Sequence, residues 1–172
     1  MQHIDLNKID LIIQRSVNLD PDAIIDFITN LCQVSREELA DLDNPRKFSL
    51  QRLVEVADFN MGRIRFVWQK IWQSLSEHFN AVGSHQNLNV ALYAIDSLRQ
   101  LADKFLLKEE FGHYHFQKDF LKPFETIMLH NLHTRLEVKE FIVMAIANMC
   151  QSKAKNLKSG WSIVINIFTL AA

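Results

Sequence analysis

Apolar residues recur at helical spacing along most of this sequence. In the stretch from Ile64 to Val82 they repeat every three or four residues, at Ile64, Val67, Trp68, Ile71, Leu75 and Phe79. Nowhere does the period-two alternation of a half-buried strand compete with this pattern. The sequence therefore predicts an all-α fold, in which helices joined by short loops bury their apolar faces against one another.

Capping residues and breakers divide the pattern into helices. The clearest helix is predicted from about Leu88 to Leu106, the Gly112–His115 segment breaks the pattern, and Pro123 predicts either a kink or a short helix that starts near Lys122. A last helix is expected to start near Leu157. N-terminal caps are predicted at Asp20 (before Pro21), Ser35 (a capping box with Glu38), Ser49 and Thr134.

Two segments offset by 51 positions resemble each other. The residues Tyr93-Ala94-Ile95 followed by Leu98 correspond to Met144-Ala145-Ile146 followed by Met149. This offset exceeds the usual helical-repeat period of roughly 40–47 residues by a few residues, which an inserted loop explains. The pattern favours an α-solenoid of stacked helical hairpins (degenerate HEAT- or armadillo-like repeats) over an irregular bundle, as a single helical domain over residues 1–172.

Composition excludes several classes of protein. The chain has 172 residues with only 4 Gly and 3 Pro, too few for a turn-rich sandwich or a glycine loop that holds phosphate. The formal net charge of -1 disfavours nucleic-acid binding. No signal peptide is recognisable, and the apolar stretch over residues 161–172 is too short to span a membrane. Its abrupt end suggests a fragment of a longer chain.

Neither catalysis nor metal binding is expected. The pairs His113 with His115 and His130 with His133 lack further ligands at metal-site spacing, so we interpret them as surface histidines and predict no metal, no cofactor and no active site. The two cysteines, Cys32 and Cys150, lie in apolar helical runs. Two free, buried thiols are favoured, although the spacing also permits a disulfide.

Charge is unevenly distributed along the chain. Residues 1–60 carry 6 basic and 11 acidic side chains (net -5), whereas residues 61–172 carry 13 basic and 9 acidic side chains (net +4). The later part is suited to an anionic membrane surface or an acidic partner, and an ordinary mixed surface is the alternative.

Arg63 and Arg65 follow a helix breaker and admit two interpretations. They either bind an acidic partner or phosphate head group in a bidentate manner, or pair with neighbouring carboxylates where Asn60 and Gly62 end a helix. Asp96 and Arg99 are expected to lock adjacent repeats. Six aromatic residues are predicted to form core rather than a groove for a partner helix: Trp68, Trp72, Phe116, Phe120, Phe124 and Trp161.

Several motifs in order resemble a known family. These are Asn60–Arg65, Trp68, Ile71-Trp72, His78-Phe79, Val82-Gly83, Ala94–Leu101, Lys104–Leu106, Phe116–Leu121, Pro123–Glu125 and Ser159–Trp161. Together they resemble the first homology-downstream (HDS) region of the large late-Golgi, brefeldin-A-inhibited (BIG-type) Arf guanine-nucleotide exchange factors, the group that includes yeast Sec-seven. Residues 129–135 and 111–114 depart from the family pattern.

The resemblance implies a regulatory module without catalytic activity. In the family, exchange uses a glutamate-tipped loop of a separate upstream domain, and no equivalent is present here. The resemblance further implies a cytoplasmic protein, peripheral on trans-Golgi membranes, that responds to GTP-bound Arf in positive feedback. Expected partners are GTP-bound Arf, the anionic Golgi membrane and other domains of the same exchange factor. A structural spacer or homodimerisation segment is the alternative. The predicted contact residues are Asn60, Arg63, Arg65, Asp96, Arg99, Gln117 and Lys118.

Overall fold

The computed structural model describes residues 6–108, 115–131 and 133–172. Over these residues the chain forms α-helices and one 3-10 turn (Ser16–Asn18), and contains no strand. The all-α prediction is therefore confirmed. The helices are α1 (Leu6–Arg15), α2 (Pro21–Leu39), α3 (Phe48–Asn60), α4 (Arg65–Gly83), α5 (Leu88–Phe105), α6 (Phe116–Asn131), α7 (Leu136–Lys153) and α8 (Trp161–Ala171).

Side-chain caps fix the starts of two helices. The carboxylate of Asp20 accepts hydrogen bonds from the backbone N–H groups of Asp22 (3.0 Å) and Ala23 (2.9 Å), as predicted for a cap before Pro21. Asn87 does the same for α5, where its Oδ1 accepts from Asn89 N at 3.0 Å. The helix predicted from Leu88 to Leu106 is thus confirmed to within one residue.

Two of the predicted caps are wrong because a tertiary contact replaces them. Ser35 is buried inside α2, which continues to Leu39, so no new helix starts there. Glu38 contacts the next helix instead: its Oε2 accepts a hydrogen bond from Ser49 N at 2.8 Å. Ser49 consequently lies in the first turn of α3, which begins at Phe48 with Lys47 at the cap position.

Three further boundaries differ from expectation. The residue before α7 is Arg135 rather than Thr134, and its side chain makes no capping hydrogen bond. Pro123 is buried inside an uninterrupted α6, so the alternative of a short helix starting near Lys122 is wrong. The last helix begins at Trp161, because residues 154–160 form turns after α7. The break predicted at Gly112–His115 falls mostly on residues 109–114, outside the described residues.

Two compact units divide the chain, Met1–Leu75 and Ser76–Ala172. In the first unit, α3 packs against both α1 and α2. A hydrogen bond of 3.4 Å between Thr29 Oγ1 and Ser74 Oγ joins α2 to α4. The apolar centre of this unit includes the fully buried Ile24, Ile28, Leu50, Leu53, Ile71 and Leu75.

The second unit has the contact pattern of stacked helical hairpins. From α5 onward each helix packs against the next one in sequence, and in addition α5 packs against α7 and α6 against α8. This alternation confirms the predicted α-solenoid. The internal similarity at an offset of 51 falls on α5 and α7, where three of the four equivalent pairs are buried: Ala94 with Ala145, Ile95 with Ile146, and Leu98 with Met149. In the remaining pair Tyr93 is half-buried and Met144 is exposed.

Aromatic residues form much of the buried interior, as predicted. Phe105 stacks on Phe120 with ring centroids 4.1 Å apart and meets Phe116 edge to face at 4.9 Å. Trp68 and Trp72, in the first unit, are also buried and stack at 6.1 Å. Trp161 is the exception: it is exposed on α8, so its assignment to the core is wrong.

Candidate partner-contact site

Arg63 binds main-chain carbonyl groups. Its Nη2 donates hydrogen bonds to the carbonyl oxygens of Ser16 (3.0 Å), Val17 (3.2 Å) and Leu19 (2.7 Å). Its Nε donates to Oδ1 of Asn60 at 2.6 Å. The guanidinium therefore holds the 3-10 turn and the residue after it. Of the two interpretations of this residue, the structural one agrees with these contacts, although the acceptors are carbonyl groups rather than carboxylates.

Asn60 completes this arrangement from inside the protein. The side chain is buried, and its Nδ2 donates to Ser16 Oγ at 2.8 Å and to the carbonyl oxygen of Val56 at 2.9 Å. A buried amide with both functions hydrogen-bonded is a structural group, because its atoms are withdrawn from any external partner. We refer to Ser16, Asn60 and Arg63 together as the Arg63 clamp.

A second clamp, which the sequence analysis missed, lies in the second unit. Asn131 is buried, and its Nδ2 donates to the carbonyl oxygens of Ile127 (2.8 Å) and Gly83 (3.5 Å). Arg135 donates from Nη2 to the carbonyl oxygen of Gln86 at 2.8 Å and from Nη1 to that of His85. We call Asn131 and Arg135 the Arg135 clamp. The sequence pattern that could have predicted this clamp is an asparagine at a helix end followed within four residues by an arginine.

The Gln117 side chain is hydrogen-bonded to main-chain atoms inside the protein. The side chain is fully buried in α6, its Oε1 accepts from the backbone N–H of Lys158 (2.8 Å), and its Nε2 donates to the carbonyl oxygen of Asn156 (2.9 Å). It therefore fixes the turn between α7 and α8. The neighbouring Lys118 has an exposed side chain, while its backbone N–H donates to Ser159 Oγ at 3.2 Å.

Asp96 and Arg99 pair along a single helix. The Arg99 guanidinium lies 2.9 Å from Oδ1 of Asp96 and 3.1 Å from Oδ2 of Asp103, and all three residues belong to α5. Arg99 thus connects successive turns of one helix rather than two repeats. Partly exposed pairs of this kind contribute only about 0.3–0.5 kcal/mol to stability.

Arg65 is the exposed arginine of the α3–α4 region, and large apolar side chains flank it. Ile64 is 72% exposed and Phe66 is 65% exposed. Lys70, one turn further along α4, places its Nζ 4.7 Å from the centre of the Phe66 ring. Arg65 and Lys118 consequently have the exposed side chains that a partner contact requires, whereas Asn60 and Gln117 are buried. Partner contact by the predicted residues stays a prediction.

Titratable and metal-binding side chains are dispersed. Within the described ranges no three His, Cys, Asp or Glu side chains converge on one point. Of the two histidine pairs, His113 lies outside the described residues, and His130 has its Nδ1 3.3 Å from Ser84 Oγ. Both cysteines are free thiols; Cys32 is buried and Cys150 half-buried, and burial raises the pKa of the Cys150 thiol. No helix among the described residues has the length and apolar character needed to cross a membrane.

Comparison with known proteins identifies the relatives of this chain. Residues 104–172 match the family model of the Sec7-like HDS domain, described as Mon2/Sec7/BIG1-like, HDS. Over 164 residues the chain is 48% identical to brefeldin A-inhibited guanine nucleotide-exchange protein 1 of Homo sapiens, which covers 95% of this chain and 9% of that protein. It is also 43% identical over 167 residues to brefeldin A-inhibited guanine nucleotide-exchange protein 2 of Arabidopsis thaliana. That alignment covers 97% of this chain and 9% of the relative.

The chain therefore spans about 9% of the length of the curated relatives it matches. The family match covers α6, α7 and α8, the helices that Gln117 and Glu125 connect. The alignment with the relatives extends over nearly the whole chain, so it also spans the region of the Arg63 clamp. The resemblance of this chain to the HDS region of the BIG-type guanine nucleotide-exchange proteins is thereby confirmed.

Proposed function

We propose that this chain is a non-catalytic regulatory region of an Arf guanine-nucleotide exchange factor. In this role it promotes recruitment of the exchange factor to trans-Golgi membranes and responds to GTP-bound Arf in positive feedback. The observation that carries the proposal is the similarity to BIG-type exchange proteins over 95% of the chain, together with the HDS match. The catalytic domain would lie elsewhere in the longer protein.

The charge distribution supports a weak contribution from an anionic membrane. Residues 61–172 carry a net charge of +4, and exposed basic side chains such as Arg65 and Lys118 belong to this part. A cation close to an anionic lipid surface contributes about 1 kcal/mol, so a few such side chains give weak, reversible attachment. Stable recruitment generally requires a second signal, which a GTP-dependent protein contact would supply.

Flotation with liposomes tests the proposal. The purified 172-residue chain is mixed with vesicles of Golgi-like anionic composition that carry membrane-anchored Arf loaded with either GTP or GDP. We expect more chain in the floated fraction when Arf is loaded with GTP. Equal flotation with both nucleotides would refute the proposed response to GTP-bound Arf.

The contacts of Arg63 and the exposure of Arg65 determine which arginine to substitute in this test. Arg63 is unsuitable, because charge reversal there removes the hydrogen bonds that hold residues 16–19. Arg65→Glu changes an exposed side chain and is expected to reduce the GTP-dependent gain several-fold. Arg36→Glu is the matched control, since Arg36 is an exposed arginine of α2 in the same unit. Equal losses in the two variants would remove Arg65 from the contact.

A structural scaffold is the second candidate function. It is favoured by a specific observation, the exposed apolar side chains of Trp161, Ile165 and Phe168 on α8. In that case the chain would contact only helices of its own protein or a second copy, and flotation would be the same in the absence of Arf and with either nucleotide.

A further inference from the structure

The turn that leads into α4 exposes two large apolar side chains close together. Ile64 is 72% exposed and Phe66 is 65% exposed, the two highest values among the large apolar residues that the structure describes. Single exposed apolar residues are common on protein surfaces. Here the two lie on either side of the exposed Arg65, and Lys70 follows one turn further along α4. We call Ile64, Arg65, Phe66 and Lys70 the α4 corner.

Hydrogen bonds and packing fix the position of the α4 corner. The carbonyl oxygen of Ile64 accepts hydrogen bonds from the backbone N–H groups of Val67 and Trp68, both at 3.1 Å. Val67 and Trp68 are themselves buried on the inner side of α4. Arg63, immediately before the corner, is bound to carbonyl groups of the 3-10 turn. Because the residues on both sides of it face inward, the exposure of Ile64 and Phe66 follows from the fold.

The charges in this part of the sequence are all basic. Residues 61–76 contain Arg63, Arg65 and Lys70 and no acidic residue. Arg63 is engaged in its clamp, so Arg65 and Lys70 supply the exposed positive charge. The Nζ of Lys70 lies 4.7 Å from the centre of the Phe66 ring, so a cation and an aromatic ring are adjacent. This combination is complementary to an anionic bilayer, where apolar side chains enter between the lipids and cations meet the phosphate groups.

We propose that the α4 corner docks on the surface of an anionic membrane. Ile64 and Phe66 insert between the lipids, and Arg65 and Lys70 contact the phosphate groups. This inference rests on the membrane recruitment proposed above and names the surface that contacts lipid, but it does not require the response to Arf. Since insertion is limited to a few side chains at the start of one helix, the attachment is weak and reversible, and stable recruitment still requires a second signal.

A protein partner is the alternative occupant, and the size of the α4 corner favours it less. A stable protein–protein interface buries about 800 Å² on each side and involves about 20–30 residues on each partner. The corner consists of four neighbouring side chains, whereas a fluid bilayer accepts so small a patch without a matching cavity. Insertion of the whole of α4 into the membrane interface is not implied either, because its opposite side, with Trp68 and Ile71, is buried in the protein.

Vesicle binding in the absence of Arf tests the inference. The 172-residue chain is mixed with vesicles of phosphatidylcholine, either alone or together with phosphatidylserine, and flotation gives the partition coefficient. We expect at least about tenfold stronger binding to the anionic vesicles, because two exposed cations meet the phosphate groups. Ile64→Ser and Phe66→Ser should each weaken this binding at least about fivefold, since less apolar surface is buried. Ile12→Ser is the matched control, because Ile12 is a 58% exposed isoleucine on α1 of the same unit, and it should leave binding unchanged.

The results distinguish this inference from the proposed function. Equal binding of the wild type, Ile64→Ser and Phe66→Ser to anionic vesicles would overturn the inference, as would the absence of wild-type binding without Arf. Neither result would affect the proposed response to GTP-bound Arf. A loss of binding in the variants only when Arf is present would also overturn the inference, because the α4 corner would then contact protein. A loss without Arf, combined with equal flotation with GTP- and GDP-loaded Arf, would support the inference and refute the response to Arf.

Tryptophan fluorescence measures the insertion itself. Phe66→Trp places a reporter in the α4 corner, and Ile12→Trp places one at the control position. In the presence of anionic vesicles that contain brominated phosphatidylcholine, the emission that Phe66→Trp adds to the wild-type signal should be quenched at least about twofold, because an interfacial aromatic ring contacts the lipid chains. The emission added by Ile12→Trp should be unchanged. Unquenched emission from position 66 in a vesicle-bound chain would overturn the inference, since another surface would then attach the chain.

Discussion

Asn131 makes at the end of α6 the same type of contact that Asn60 makes at the end of α3. Each side-chain amide donates to the carbonyl oxygen four residues earlier, at 2.8 and 2.9 Å respectively. Each also donates to a segment far back in the chain, namely Ser16 Oγ for Asn60 and the Gly83 carbonyl oxygen for Asn131. The two units therefore use the same device to tie a helix end to an earlier turn.

Removal of the Asn60 amide should destabilise the first unit. Asn60→Ala leaves Ser16 and the Arg63 guanidinium without one partner each in a buried setting, and we expect a loss of about 1–3 kcal/mol in the free energy of unfolding. Urea denaturation followed by circular dichroism measures this loss. Asn89→Ala is the control, because Asn89 is exposed on α5, and it should change stability by less than about 0.5 kcal/mol. Equal effects of the two substitutions would contradict the role of Asn60.

Arg63→Lys tests whether the planar guanidinium is required. A lysine ammonium lacks the fork that reaches three carbonyl groups and Asn60 together, so we expect about 1–2 kcal/mol of destabilisation and faster hydrogen exchange around residues 16–19. Arg65→Lys, at an exposed position two residues away, should leave both quantities unchanged. A stable Arg63→Lys variant with unaltered exchange would show that charge alone suffices.

Gln117→Glu should loosen the turn that precedes α8. The substitution removes the donor to Asn156 and places a carboxylate at a fully buried position, although the acceptor for Lys158 N–H remains. We expect a loss of about 1–3 kcal/mol that is smaller at acidic pH, where the new carboxyl group is protonated. Thermal unfolding at pH 7 and pH 4 measures it. Lys118→Gln serves as the exposed neighbour control, and a matching change there would refute the assignment.

Gly83, the last residue of α4, and Gly62, in the turn after α3, should respond in opposite ways to substitution by alanine. A Cβ on Gly83 would overlap Cδ1 of the buried Ile127, so Gly83→Ala should cost about 1–3 kcal/mol of stability. A Cβ on Gly62 would meet nothing within 4 Å, and Gly62→Ala should be neutral or slightly stabilising. Combining Gly83→Ala with Ile127→Val, which deletes Cδ1, should recover part of the loss. Strict additivity in this double variant would exclude the steric explanation.

The Cys150 thiol should react slowly. Because burial raises its pKa, a smaller fraction is thiolate at pH 8 in the folded protein than in the unfolded chain. Iodoacetamide labelling at this residue, followed by peptide mass spectrometry, should therefore be slower in the native protein than in urea. The raised pKa also makes the free energy of unfolding depend on pH. The stability that the protonated Cys150 thiol contributes is fully present below the pKa of this thiol in the unfolded chain, and it is lost as the pH rises through the higher pKa in the folded protein. Equal labelling rates in the two states would contradict this prediction.

Apolar periodicity predicted α5 to within one residue, and the internal similarity at an offset of 51 positions predicted the stacked packing of the second unit. Ile95 and Leu98 of the predicted helix are buried, because the local sequence of a helix determines which of its faces is apolar. The misplaced caps have a different origin. Ser35 matched a capping box, but tertiary packing continued α2 through it, and a local motif carries no information about that packing.

The candidate site was less predictable, because its contacts link distant parts of the chain. The sequence pattern drew attention to Arg63, but the acceptors of its hydrogen bonds lie 44 to 47 residues earlier in the chain. These acceptors are main-chain carbonyl groups, which every residue type has, so the amino-acid sequence does not reveal them. Gln117 was identified within a motif, and only its burial showed that it faces inward. The exposure of Trp161 was also invisible to composition, since its helix is apolar on both sides.

Both clamp arginines bind carbonyl oxygens of the backbone, and this choice of acceptor has an evolutionary consequence. The carbonyl groups of Val17, Leu19 and Gln86 are the same whatever side chains these positions carry. Mutations at these positions can therefore alter the outer surface of the turns without breaking the arginine's hydrogen bonds. The side chains of these turns can therefore change and contact new partners, provided that Arg63 in the first unit and Arg135 in the second unit are kept.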